Sequence, residues 1–143
     1  MTTRSGSATY KGLGRDGVGH VSTQSGVLHD QKYGFGTRFG DEPGTNPEEL
    51  LAAAHASCFT MALSFALAQQ GFADGELATT AKVTLVQADG GFTITKSELT
   101  LTATVPGVEP AQFEEIAQGA KANCPLSKVL NAELSLTYTL EQG

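Results

Sequence analysis

The chain has 143 residues, a formal net charge of -6 and an isoelectric point of about 4.9. The length suits a single domain over residues 1–143, large enough to bury a core without staples. Nine scattered Lys and Arg argue against a nucleic-acid partner, and two cysteines are too few for a secreted disulfide scaffold.

The first forty residues alternate short β-like pieces with glycines. "SATYKG", "GHVSTQSG" and "QKYGFGTRFG" read as a strand meander with loose turns. The N-terminus is polar and lacks the apolar stretch of a signal peptide, so a cytoplasmic location is expected. "DEPGTNP" then ends the sheet and starts a helix. Asn46 is a good N-cap, Pro47 fits the first helical position, and Glu49 is placed to complete a capping box.

That helix, "NPEELLAAAHASCFTMALSFALAQQG", is apolar on nearly every side and closes at Gly71. Leu50 to Ala68 approaches membrane-spanning length. Its many alanines, with His55, Ser57, Thr60 and Ser64, point instead to a helix buried inside a protein. Next, Leu77–Val105 contains two alternating runs joined by the turn Asp89-Gly90-Gly91, a hairpin. "VEPAQFEEIAQGAKAN" is an amphipathic helix with Phe113, Ile116, Ala117 and Ala120 on one face. A short helix starts near Pro125. The last strand alternates Leu134, Leu136, Tyr138 and Leu140. The order predicts an α+β fold with antiparallel sheet around a long central helix, without βαβ winding.

Chemistry can reside in few places. Cys58, in the middle of the long helix, reads first as an inert core thiol. Cys124 precedes Pro125 at a helix start, where unpaired N–H groups and the dipole favour a thiolate. Two such thiols could form a transient redox pair. Arg38, in "GFGTRFG", is either a surface arginine on a strand or a guanidinium that lowers a thiol's pKa. Glu49 takes the capping position, which leaves Glu48 free to hold a partner such as Arg38. His20, His29 and His55 have no metal-ligand spacing. His55 and Cys58 could form half a zinc site, but no second half is visible, so no metal is expected. The Gly-rich "KGLGRDGVGH" lacks the context of a phosphate cradle.

"NPEELLAAAHASCFTMALS", with "ANCPLSKVL" about one helix-hairpin-helix later, resembles the OsmC/Ohr family. These are the osmotically inducible and organic hydroperoxide resistance proteins, thiol-dependent hydroperoxide reductases. The resemblance runs from "GFGTRFG" through the final strand, and the Ala-His-Ala-Ser before Cys58 favours the OsmC subgroup. It implies an intimate, intertwined homodimer. It makes Cys58 the peroxidatic thiol, Cys124 the resolving thiol, and Glu48 the acid that pairs with an active-site arginine. Arg38 is the match for that arginine, with Arg15 the alternative. The implied cycle takes Cys58 to a sulfenic acid and then to a disulfide with Cys124. An external dithiol restores both thiols, and no bound cofactor is needed. Phe35, Phe39, Phe59 and Met61 are the expected lining for the alkyl tail of an organic hydroperoxide; hydrogen peroxide is a further expected substrate.

Spacing along the helix bears on the dimer. Glu48 and Cys58 are ten residues apart, about 15 Å along a straight axis, too far to touch within one helix. Either Arg38 bridges the gap or the glutamate comes from a second copy. Two other readings remain at this point. One is a non-enzymatic protein that grips a small acid with Arg38, and the other is a redox sensor. No DNA-binding element or basic patch supports the sensor.

Overall fold

A computed structural model describes all residues, Met1–Gly143. The chain falls into two compact units, Met1–Leu50 and Leu51–Gly143.

The first unit carries strands β1 (Gly6–Lys11), β2 (Val18–Thr23) and β3 (Gln31–Tyr33), followed by a five-residue helix, α1 (Phe35–Phe39). The strands pair antiparallel in the order β1-β2-β3, the meander that the glycine punctuation predicts. Arg38 corrects one expectation, because it sits on α1 and not on a strand. The aromatic-rich "GFGTRF" has the composition of a strand. What turns it into a helix is local: the Gly34 N–H donates to Thr37 Oγ1 (2.8 Å), and the Thr37 hydroxyl is also 3.1 Å from the Gly34 carbonyl.

Helix α2 (Pro47–Gln69) begins in this unit and continues into the second. Asn46 Oδ1 accepts the Glu49 N–H at 2.8 Å, as expected of an N-cap. The reciprocal half of the capping box does not form, because the Glu49 carboxylate takes the Thr45 hydroxyl instead (2.8 Å). Gly44 sets up this entry. Its φ is +147°, and a Cβ there would lie 2.4 Å from the Lys32 carbonyl oxygen, so the chain passes too close for any side chain. At the far end the Phe72 N–H reaches back to the Leu67 carbonyl, and Gly71 takes φ +92°, a left-handed helix stop.

The second unit holds a three-stranded sheet of β4 (Glu76–Ala88), β5 (Gly91–Thr104) and β6 (Glu133–Glu141). β4 and β5 form the expected hairpin, with Asp89 (φ 51°) and Gly90 (φ 79°) at the turn. β6 departs from the expectation of a wholly antiparallel sheet, since it pairs parallel to β5. Helices α3 (Pro110–Asn123) and α4 (Pro125–Val129) form the crossover that a parallel pair requires. The core is built where three elements meet. α2 contributes Phe59, Leu63 and Leu67, β5 contributes Leu99, Leu101 and Ala103, and α3 contributes Phe113, Ala117 and Ala120. Phe113 also meets Tyr138 of β6 edge-on, with ring centroids 5.1 Å apart.

Helix α2 is long and apolar enough to cross a membrane by length and composition. It buries one stripe in this core, at His55, Phe59, Leu63 and Leu67, every fourth residue. Its opposite side leaves Met61 and Phe65 61% and 65% exposed.

Candidate active site

In the first unit, strand pairing places Tyr10, Gly19 and Tyr33 in one row across the sheet. A Cβ at Gly19 would lie 2.5 Å from the Tyr33 ring, so only glycine lets the two rings lie over it. Tyr10, Tyr33, Phe35 and Phe39 surround a largely apolar cavity of about 410 Å³, whose rim carries both Arg15 and Arg38. The Arg15 guanidinium stacks over Phe35, 4.1 Å from the ring centre.

Arg38 makes a two-pronged bond to Glu48. Nε reaches Oε1 at 2.8 Å and Nη2 reaches Oε2 at 2.9 Å. α1 supplies the arginine and the first turn of α2 supplies the acid. This planar fork uses both carboxylate oxygens and fixes the guanidinium's orientation. The hydrogen bonds to Glu48 raise the already high Arg38 pKa further, so the cation is permanent. The pair is partly exposed, and its worth lies in geometry more than in stability.

In the second unit both thiols are free. Cys58 is half-buried on α2 and packs against the core cluster that contains Cys124. Burial pushes the Cys58 thiol up; the Leu126 backbone N–H pulls it back, and Cys124 pushes it up further. Cys124 is fully buried and caps α4: its Sγ accepts the Ser127 N–H at 3.3 Å and lies 3.1 Å from Ser127 Oγ.

Cys58 and Cys124 therefore come together in one unit, and Arg38 and Glu48 in the other. Phe35 and Phe39 line the apolar cavity. Phe59 is corrected: it is fully buried in the core of the second unit. Met61 points outward from α2. Sequence reasoning weighed His55 as half of a zinc site and favoured a satisfied or packed imidazole. Its imidazole is fully buried, with Nδ1 2.7 Å from Ser97 Oγ and Nε2 2.9 Å from Ser127 Oγ. Ser97 stands on the same face of β5 as Leu99, Leu101 and Ala103. A serine at an inward position of an apolar strand was the available signal.

The chain is similar to known proteins in sequence and in fold. The pattern of the family described as OsmC-like protein matches residues 40–139. The chain is 51% identical over 138 residues, 96% of each chain, to the "Peroxiredoxin OsmC" of Escherichia coli (strain K12). It is 35% identical over 98 residues, 68% of this chain and 67% of the other, to an "Organic hydroperoxide resistance protein" of Xanthomonas axonopodis pv. citri. Among solved structures, an organic hydroperoxide resistance protein from Elizabethkingia anophelis superposes with a TM-score of 0.73 at 28% identity, covering 100% of this chain and 98% of the other. Fold, thiol pair and sequence identity agree that this chain belongs to the OsmC family.

Proposed function

We propose that the chain is a thiol-dependent peroxidase that reduces organic hydroperoxides, and hydrogen peroxide, to the alcohol or water. The observation that carries this reading is the pair of free thiols in one packed unit, Cys58 lying against the core cluster that holds Cys124. Cys58 attacks the peroxide, its sulfur takes one oxygen, and the alcohol leaves. Cys124 then condenses with the sulfenic acid, releasing water and forming a disulfide. An external dithiol reduces that disulfide by exchange, and no bound cofactor takes part.

Burial opposes ionisation of Cys58, so the first step needs a cation at the thiolate. Arg38, oriented by Glu48, is the group suited to that task and to the charge developing on the leaving oxygen. In this reading the active unit is a homodimer, and one copy's Arg38–Glu48 pair serves the Cys58 of the other. The outward apolar side of α2, with Met61 and Phe65, supports a second copy as its cover. The cavity beside Arg38 is apolar and suits an alkyl tail. The protein acts in the cytoplasm, where dithiol reductants are available.

A protein that merely grips a small acid has no use for two free thiols packed in one unit. A free-thiol count before and after one equivalent of cumene hydroperoxide tests the proposal. The peroxidase loses both thiols and regains them with a dithiol; a binding protein keeps both throughout.

A further inference from the structure

The peroxidatic step uses Cys58 and a cation, which leaves the deepest polar cluster of the second unit without a task. Ser97, His55, Ser127 and Cys124 form one continuous chain of contacts. Ser97 Oγ lies 2.7 Å from His55 Nδ1, His55 Nε2 lies 2.9 Å from Ser127 Oγ, and Ser127 Oγ lies 3.1 Å from Cys124 Sγ. Cys58 packs against the core cluster that holds Cys124. β5, α2 and α4 each contribute a member. Ser97, His55 and Cys124 are fully buried and Ser127 is 6% exposed, so solvent does not serve these groups.

We propose that His55, acting through Ser127, is the proton acceptor for Cys124 in disulfide formation, and that Ser97 holds its ring in the required tautomer. The proposal rests on the peroxidase reading above. It follows from what the condensation must do. A thiol attacks a sulfenic acid only as its proton departs, and a buried thiol has no water to take that proton.

The chain can carry the proton with no side chain moving. Before transfer, Cys124 S–H donates to Ser127 Oγ, Ser127 O–H donates to His55 Nε2, and His55 Nδ1–H donates to Ser97 Oγ. After transfer, Ser127 O–H donates to the Cys124 thiolate and the imidazolium donates at both nitrogens. The Ser127 backbone N–H, 3.3 Å from Sγ, is a second donor to that thiolate. The S–S bond then forms as the S–O bond of the sulfenic acid breaks. The sulfur of Cys124 is oxidised, that of Cys58 is reduced, and the electron pair of the S–O bond leaves with oxygen. The proton held by His55 balances the one that turns departing hydroxide into water.

The imidazole's environment suits an acceptor. Burial lowers the pKa of His55, so the ring rests neutral, and the Ser97 and Ser127 hydroxyls are placed to receive both N–H groups once it takes up a proton. The groups facing its nitrogens are the hydroxyls of Ser97 on β5 and Ser127 on α4, and the titratable groups further along are Cys124 and Cys58. A ring placed only for packing would satisfy its nitrogens anywhere. This one is aimed at Ser127, whose N–H and hydroxyl both meet the Cys124 sulfur.

The test follows one turnover. Wild type, His55→Gln, Ser127→Ala and Ser127→Thr are mixed with one equivalent of cumene hydroperoxide, quenched over time, and analysed by mass spectrometry with a sulfenic-acid trap. The expected result is peroxide consumption at a common rate in all four, with the sulfenic acid then persisting. Closure to the disulfide slows on the order of 100-fold in His55→Gln and Ser127→Ala. Ser127→Thr, which restores the hydroxyl, recovers most of the rate. The pH profile of closure is the second readout. Wild type levels off once His55 is neutral, whereas Ser127→Ala keeps rising with pH. Equal closure rates and equal profiles in wild type and both deletions would overturn the relay while leaving the peroxidase reading intact. Equal slowing of consumption and closure would assign the cluster to folding alone and also overturn it. Should His55→Gln fail to fold, the Ser127→Ala and Ser127→Thr pair decides. A wild type that forms neither sulfenic acid nor disulfide would overturn the peroxidase reading, and the relay with it.

Discussion

Every large apolar side chain that is fully buried lies in Leu51–Gly143; Met1–Leu50 buries only Gly19, Thr37 and Thr45. The second unit packs α2, β5 and α3 around Phe59, Leu63, Leu99 and Phe113, and encloses its thiols in that packing. The first unit is a three-stranded meander with an aromatic cavity and a forked ion pair, and it leaves Leu13, Val27, Phe35 and Phe39 exposed. About fifty residues are too few to bury a self-sufficient core. In the proposed reaction the two units divide the work: the thiols sit in the packed unit, and the guanidinium, partly exposed, stays hydrated and charged.

The sharpest way to break this contrast is at the thiols. Cys58→Ser abolishes turnover, and Cys124→Ser permits one attack and then over-oxidises at Cys58, read as added oxygen mass. If Cys58→Ser kept the first attack and Cys124→Ser lost it, the roles would be reversed. Next is the cation. Arg38→Ala slows the first attack by about 10²–10³-fold, the scale for removing one charge-stabilising donor. Arg38→Lys recovers little, because a single ammonium cannot reproduce the fork on Glu48. Stopped-flow peroxide consumption reads both, and an unchanged rate in Arg38→Ala would transfer the role to Arg15.

Stability gives a third comparison. Phe59→Ala costs about 3–5 kcal/mol in urea denaturation, because a fully buried ring leaves a cavity. Phe35→Ala, 40% exposed, costs about 1 kcal/mol or less and instead raises KM for alkyl hydroperoxides. Similar losses for the two rings would erase the distinction between the units. The smallest effect is in acid. His55 binds a proton less readily folded than unfolded, so the unfolded chain takes it up first. The associated stability is complete above the ordinary value of 6.5 and is lost as pH falls from there through the lowered folded value. His55→Gln should flatten that slope in denaturation measured between pH 7 and 5.

Much of this was legible in local signals. Asn46, Pro47 and Gly71 marked the ends of α2, and Asp89-Gly90 marked the hairpin, because caps and turns are decided by neighbouring residues. Pro125 did the same for the start of α4. What escaped depends on distant partners. The parallel pairing of β6 follows from which strand edge was open, and no residue in "ELSLTYTLE" encodes that. His55 meets Ser127 across 72 positions, with no ligand-like spacing to reveal it. Phe59 was misplaced because α2 is apolar on both sides, and composition does not say which side faces the core. The pairing of Glu48 with Arg38 was readable from the capping role of Glu49. Even so, Glu49 bonds Thr45, not Asn46, through its side chain.

In the proposed dimer the charged pair of one copy completes the thiol site of the other, and subunit mixing tests this. Arg38→Ala and Cys58→Ser chains, each inactive alone, are unfolded and refolded together, with exchange verified by native mass spectrometry. Random pairing makes half of the dimers mixed, and each mixed dimer holds one intact site. The account predicts recovery of about a quarter of wild-type peroxidase activity. No recovery in verified mixed dimers would contradict it and place Arg38 and Cys58 of the same chain in one site.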